Sequence, residues 1–168
     1  MQKVALVDRD GTIIWEPERP ERVDPRETFP LVSADQVSFV DGAIDGLKRL
    51  VERGYKLVLV TNQTFLGTPK HPQKVFDQVM NRMLGELQAH GVTFEFIMIC
   101  PHGPDEGCEC RKPKTGGVKK YLEERGDVDL KNSLMFGDRP TDGEFAQNLG
   151  VKFIKIETNK RFEIPSDM

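Results

Sequence analysis

Five short apolar runs are spaced along the chain: KVALVD (3–8), YKLVLVT (55–61), FEFIMIC (94–100), SLMFGD (133–138) and VKFIKI (151–156). Most are rich in Val, Ile and Phe and are bounded by polar residues or glycine, which predicts strands. Their near-continuous apolar character fits parallel strands covered on both faces. Between them lie helical patterns. Asp41 is positioned to cap a helix in which Ala43, Ile44, Leu47, Leu50 and Val51 share one face, and Gly54 stands where a left-handed stop belongs. After Pro72, Val75, Phe76, Val79, Met80, Met83, Leu84 and Leu87 recur at helical spacing, with Gly91 closing the segment. A third helix is expected from about Val118 to Arg125, and a fourth from Thr141 to Leu149 with Thr141 and Asp142 at its start.

This alternation predicts an α/β fold, a Rossmann-like, doubly wound parallel sheet that binds ligands beyond the carboxyl ends of its strands. Asp8 and Asp10 follow the first strand, Thr61 and Asn62 the second, Cys100 the third, and Gly137 and Asp138 the fourth, so one edge collects them. Residues 15–37 and 100–117 fit no regular pattern and read as long loops over that edge, where specificity is set.

The 168 residues fit a single domain, 1–168, without repeats. A net charge of −3 argues against bulk-charge binding of nucleic acid and favours a small polar substrate. No stretch approaches the roughly 20 apolar residues of a membrane span and no signal peptide is visible, so the expected location is the cytoplasm and the expected state a monomer or weak homodimer. In that compartment Cys100, Cys108 and Cys110 suggest a metal site and not disulfides.

Two carboxylates one residue apart at a strand end can share a crevice if the chain turns after them, and Gly11 permits that turn. Arg9, between them, should point away from both while the chain stays extended. Adjacent acids repel and need a cation or a shared proton; Mg²⁺, which takes oxygen ligands, answers that need. One carboxylate can then attack phosphorus while the other moves protons.

DRDGT (8–12), Thr61 in LVTNQ, Lys112 in CRKPK and GDRPTD (137–142) resemble, in order and spacing, the four signatures of the haloacid dehalogenase-like (HAD) phosphatases, over residues 3 to about 156. The resemblance implies that Asp8 is the nucleophile, forming an aspartyl-phosphate, and that Asp10 exchanges protons with the leaving alcohol and with water. It implies that Asp8, Asp138 and the backbone carbonyl of Asp10 hold Mg²⁺, with Thr12 and Asp142 supporting them. Thr61 and Asn62 would bond the phosphoryl oxygens, and Lys112 would neutralise their charge.

CPHGPDEGCEC (100–110) carries Cys100, His102, Cys108 and Cys110, three thiolates and an imidazole that make a complete tetrahedral set for Zn²⁺. Four protein ligands leave no open position, which makes the zinc structural. Arg111 and Lys112 follow directly, so the metal loop would also fix the phosphate-binding lysine. His71 and His90 carry no such signal and are expected in solvent.

The zinc loop narrows the resemblance to a capless subgroup containing histidinol-phosphate phosphatases and heptose bisphosphate 7-phosphatases. DRDGTIIWEP, TNQTFLGT and the compact metal loop are most similar to the former, although the 15–37 loop is several residues longer. The partner is thus a small phosphomonoester, with histidinol phosphate first, a heptose or other sugar phosphate second, and a nucleic-acid 3′-phosphate third. A non-catalytic module that binds a phosphorylated ligand is the reading from another class. Arg111 and Asn62 are expected at the substrate. In the 15–37 loop, Glu16 and Glu18 could meet a cationic amine, whereas Arg19, Arg22 and Arg26 could meet a second phosphate.

Overall fold

The computed structural model describes residues 1–166. Five strands, β1 (Val4–Val7), β2 (Lys56–Asn62), β3 (Phe94–Cys100), β4 (Leu134–Gly137) and β5 (Lys152–Lys155), form one sheet in the order β3-β2-β1-β4-β5, every neighbouring pair parallel. The chain winds outward from β1 through β2 to β3, then crosses to the other side of β1 for β4 and β5. The doubly wound α/β architecture expected from the alternation is the one observed.

Alternating strand side chains divide the core in two. Ala5, Val7, Leu57, Leu59, Leu134 and Phe136 face helices α1 (Ala43–Glu52) and α2 (Gln73–Ala89). Val4, Leu6, Val58, Val60 and Met135 face α3 (Gly116–Arg125) and α4 (Pro140–Leu149). Both faces are covered, hence the unbroken apolar runs of β1 and β4 and of the interior of β2, while the edge strands β3 and β5 admit Glu95, Lys152 and Lys155. Among the described residues no inserted cap domain interrupts the core, and no helix is long and apolar enough to cross a membrane.

Several boundaries differ from the sequence reading. The α1 N-cap is Gly42 at φ +74°, not Asp41, which pairs with Arg161 at 3.3 Å. A Cβ at Gly42 would sit 2.9 Å from the Phe162 carbonyl, so a distant segment selects glycine there. Val51, expected on the buried α1 face, is 40% exposed. Helix α3 begins two residues before Val118, and α4 begins at Pro140 with Arg139 as its N-cap. Asp142 therefore stands at the third helical position, where its Oδ2 accepts from the Arg139 N–H at 3.0 Å.

Candidate active site

Strand order reverses beside β1, and the crevice opens beyond the carboxyl ends of β1 and β4, where such sheets bind ligands. The Asp8 N–H donates to Phe136 O at 2.9 Å, which extends the β1–β4 ladder to the residue that projects its carboxylate into the crevice. Carboxylate oxygens of Asp8, Asp138 and Asp142 all lie within 4.8 Å of one another. Buried Lys112 Nζ stands 2.6 Å from Asp8 Oδ1, 2.8 Å from Asp142 Oδ1 and 2.7 Å from Val60 O.

Burial pushes the Asp8 carboxyl well above the usual carboxylate range; Lys112 opposes this, while Asp142, Asp138 and Asp10 add to it. Asp138 is raised for the same first reason, burial, against the hydrogen bond from Thr158. Lys112 would be lowered by burial, but Asp142 and Asp8 carry it above the normal lysine value. Three crowded acids with one ammonium form an all-oxygen donor set short of positive charge, which fits a hard divalent cation.

Asp10 has a different environment. Arg9 Nε and Nη2 donate to its two oxygens at 3.1 and 2.8 Å, Gln63 Nε2 donates to Oδ2 at 2.8 Å, and Thr61 Oγ1 approaches Oδ2 at 3.5 Å. Burial alone would raise the Asp10 carboxyl, yet the charge and hydrogen bonds of Arg9, joined by Gln63, hold it below the ordinary value. Arg9 thus does not point away from both acids. The chain leaves the extended conformation at once: Arg9 O accepts from the N–H groups of Ile13 and Ile14 at 2.9 and 3.1 Å, and Gly11 takes φ +77°. This turn lays the guanidinium back along Asp10, 3.1 Å from Gln63 Oε1 and over the Phe76 ring at 5.2 Å.

Thr61 is fully buried and accepts from Gln63 Nε2 at 2.7 Å. Asn62 lines the crevice and braces the lysine loop reciprocally, donating to Lys112 O at 3.2 Å and accepting from the Lys112 N–H at 3.0 Å. Thr12 Oγ1 stands 3.4 Å from Asp138 Oδ1. Glu16 is paired with Arg139 at 2.6 Å, and Glu18 is exposed. Arg26 lines the crevice but is held by Asp24 and Asp105 at 2.6 and 2.9 Å.

Arg111 departs from its expected place at the substrate. It is absent from the crevice lining; its guanidinium instead donates to Arg26 O, to His102 O at 2.9 Å and to Thr64 Oγ1 at 3.3 Å, which ties three loops together. His71, expected in solvent, is 2% exposed, with Nδ1 3.2 Å from Thr64 O and its ring edge-on to Phe76. His90, the C-cap of α2, is exposed as expected.

The loop after β3 brings the four soft donors together. Cys100 Sγ lies 3.6 Å from His102 Nδ1, 3.6 Å from Cys108 Sγ and 3.1 Å from Cys110 Sγ, and His102 Nδ1 lies 3.3 Å from Cys110 Sγ. A tetrahedral zinc with bonds of about 2.0–2.3 Å requires edges of roughly 3.5–3.8 Å, so the donors stand close to the needed spacing. Burial, then the Cys110 thiol, push Cys100 far above the normal thiol range, a cost that a bound cation would relieve.

Gln63, Arg139 and Thr158 were not singled out from sequence, and Arg9 was given an orientation but no role at the site. Gln63 and Arg139 lie within the quoted signatures LVTNQ and GDRPTD, a weak signal, whereas Thr158 carries none. Its Oγ1 donates to Asp138 Oδ2 at 2.7 Å.

A family model described as polynucleotide kinase 3 phosphatase matches residues 3–159. The histidine biosynthesis bifunctional protein HisB of Legionella pneumophila is 37% identical over 164 residues, covering 98% of this chain and 44% of that protein. HisB of Campylobacter jejuni subsp. doylei is 39% identical over 167 residues, covering 99% and 45%. The chain therefore spans less than half the length of these curated relatives. Among solved structures, a D,D-heptose 1,7-bisphosphate phosphatase from B. bronchiseptica, complexed with magnesium and phosphate, aligns with TM-score 0.73 and 28% identity over 90% of this chain and 79% of that one. A HAD-like protein from Mesorhizobium loti shares the fold with TM-score 0.71 at 23% identity, over 89% and 69% of the two chains.

Proposed function

Because the chain belongs to the polynucleotide kinase 3 phosphatase family and is a haloacid dehalogenase-like phosphoric monoester hydrolase, we propose that it hydrolyses a small phosphorylated metabolite, histidinol phosphate, through an aspartyl-phosphate on Asp8. The observation that carries this chemistry is the end of β1: Asp8 projects into the crevice with Lys112 Nζ at 2.6 Å and Asp138 in the same carboxylate cluster. The substrate reading is supported by relatives 37–39% identical over nearly the whole chain that are named for histidine biosynthesis.

In this reading an Asp8 oxygen attacks phosphorus, the bond to the leaving oxygen breaks, and Asp10 protonates the departing alkoxide. Water then attacks the aspartyl-phosphate, gives its proton to Asp10 and releases phosphate. The Arg9 pair favours ionised Asp10, the form the second half-reaction needs; the first needs its protonated form. Thr61 and Asn62 bond the phosphoryl oxygens, and Lys112 neutralises the charge that spreads over them. Asp8, Asp138 and the carbonyl of Asp10 are the groups that would hold Mg²⁺, with Asp142 and Thr12 behind them; the ion supplies further positive charge at the phosphoryl group. The magnesium and phosphate in the heptose bisphosphate phosphatase structure support this choice of cation.

Cys100, His102, Cys108 and Cys110 would hold a structural Zn²⁺ that fixes the segment leading into Lys112. With Glu16 engaged by Arg139, an amine-bearing leaving group would have to exchange with that guanidinium to reach the carboxylate. The whole 168-residue chain would act as one cytoplasmic domain, a monomer or weak homodimer.

A heptose or other sugar phosphate is the second reading, favoured by the TM-score of 0.73 to the heptose bisphosphate phosphatase. A polynucleotide 3′-phosphate fits less well: among the described residues the crevice lining contains no aromatic side chain on which a base could stack. Steady-state turnover of histidinol phosphate, heptose 1,7-bisphosphate and an oligonucleotide 3′-phosphate discriminates these. The expected order of kcat/KM places histidinol phosphate first; a higher value for either of the others overturns the substrate assignment.

A further inference from the structure

The chain continues beyond β5 as a strap that passes beside the Asp8–Asp10 loop. Ile156 N–H donates to Gly137 O at 2.8 Å, and Asn159 N–H donates to Gly11 O at 3.0 Å. Asn159, at φ +59°, also brackets the start of the specificity loop, its Oδ1 accepting from the Glu16 N–H and its Nδ2 donating to Glu16 O, both at 2.8 Å. Between these anchors, Thr158 Oγ1 reaches Asp138 Oδ2 at 2.7 Å. The only other hydroxyl bonded to that carboxylate among the described residues, Thr12 Oγ1, stands at a long 3.4 Å from Oδ1. Packing leaves little slack: a Cβ at Gly11 would fall 2.6 Å from Asp138 Oδ2 and 3.0 Å from Thr158 Cγ2.

We propose that Thr158 is a positioning residue for the divalent-cation site: its hydroxyl locks the rotation of the Asp138 carboxylate and so presents Oδ1 to the ion. The inference rests on the Mg²⁺-dependent phosphatase reading. A ligating carboxylate that is itself hydrogen-bonded binds its metal better, and removal of such a partner costs about 10–100-fold in affinity. Thr158 lies outside the four signatures and much of it faces solvent, so its replacement by valine, which is close in shape, is expected to leave the fold intact.

The test is a Mg²⁺ titration, followed by calorimetry without substrate, of the wild-type, Thr158→Val and Thr158→Ser proteins, with steady-state hydrolysis measured across Mg²⁺ concentrations. The valine protein should bind Mg²⁺ about 10-fold or more weakly. Its kcat at saturating Mg²⁺ should stay within about threefold of wild type, and serine should restore affinity because it keeps the hydroxyl. Mg²⁺ affinity unchanged in Thr158→Val, or equally weak in both variants, overturns the role of the hydroxyl while leaving the phosphatase reading intact. A wild-type protein that neither binds Mg²⁺ nor hydrolyses a phosphomonoester removes both.

Discussion

Arg9 and Asp10, adjacent in sequence, form a two-point ion pair inside the protein, with Nε and Nη2 at 3.1 and 2.8 Å from the two carboxylate oxygens and the arginine side chain 1% exposed. The strand thus delivers two acids with separate partners, Lys112 for Asp8 and Arg9 for Asp10.

Breaking the second pair should be costly, because removing one member leaves the other charge buried. Arg9→Met is expected to lose about 3–5 kcal/mol of stability. Equilibrium urea unfolding monitored by circular dichroism measures this; a loss below about 1 kcal/mol would show that Asp10 finds another partner.

Lys112 faces Asp8, Asp142 and the Val60 carbonyl from a buried socket. Lys112→Met should lower kcat by about 100-fold or more, the scale on which a preorganised group at developing charge acts. Lys112→Arg should not rescue it, since a planar fork does not fit where a point charge has three close partners. Rates within tenfold of wild type for either variant would contradict the assigned role.

The Cys100, His102, Cys108 and Cys110 cluster predicts close to one equivalent of zinc in protein purified without chelator, read by elemental analysis. Cys108→Ser should lose most of that zinc and melt at a lower temperature. A serine protein that keeps its zinc and its melting temperature would remove Cys108 from the ligand set.

His71 gives a pH dependence of stability. Burial lowers its pKa from the ordinary 6.5, opposed by its hydrogen bond to Thr64 O. With the folded value below the unfolded one, the unfolded chain takes up the proton first. Stability is therefore undiminished above about pH 6.5 and falls as the pH drops below it. Urea midpoints measured between pH 5.5 and 7.5 should show this decline in wild type and a shallower one in His71→Gln; parallel curves would contradict it.

Local pattern decided what sequence could reveal. The central strands were legible because apolar runs covered on both faces have no polar interruptions, and the edge strands β3 and β5 because one or two charged residues leave the run recognisable. The grouping of Asp8 and Asp138 was legible because both follow predicted strands whose carboxyl ends share one edge of such a sheet, and the soft-donor cluster because its spacing lies within one loop. Gly42 was not, since it answers to the Phe162 carbonyl 120 positions along. Arg9 was misplaced because the turn begins one residue earlier than an extended strand implies, and its partner Gln63 comes from β2's following loop. His71 looked solvated because Thr64 and Phe76, which enclose it, share no periodic pattern with it. Thr158 acts from beyond the last strand, where no pattern points to Asp138.

The central claim, covalent catalysis by Asp8, is most directly tested by steady-state hydrolysis of histidinol phosphate with Mg²⁺, comparing wild type and Asp8→Asn, with circular dichroism establishing that both are folded. Wild type should turn over and the asparagine protein should show no hydrolysis above background. Hydrolysis by a folded Asp8→Asn protein at a rate near that of wild type would contradict the claim.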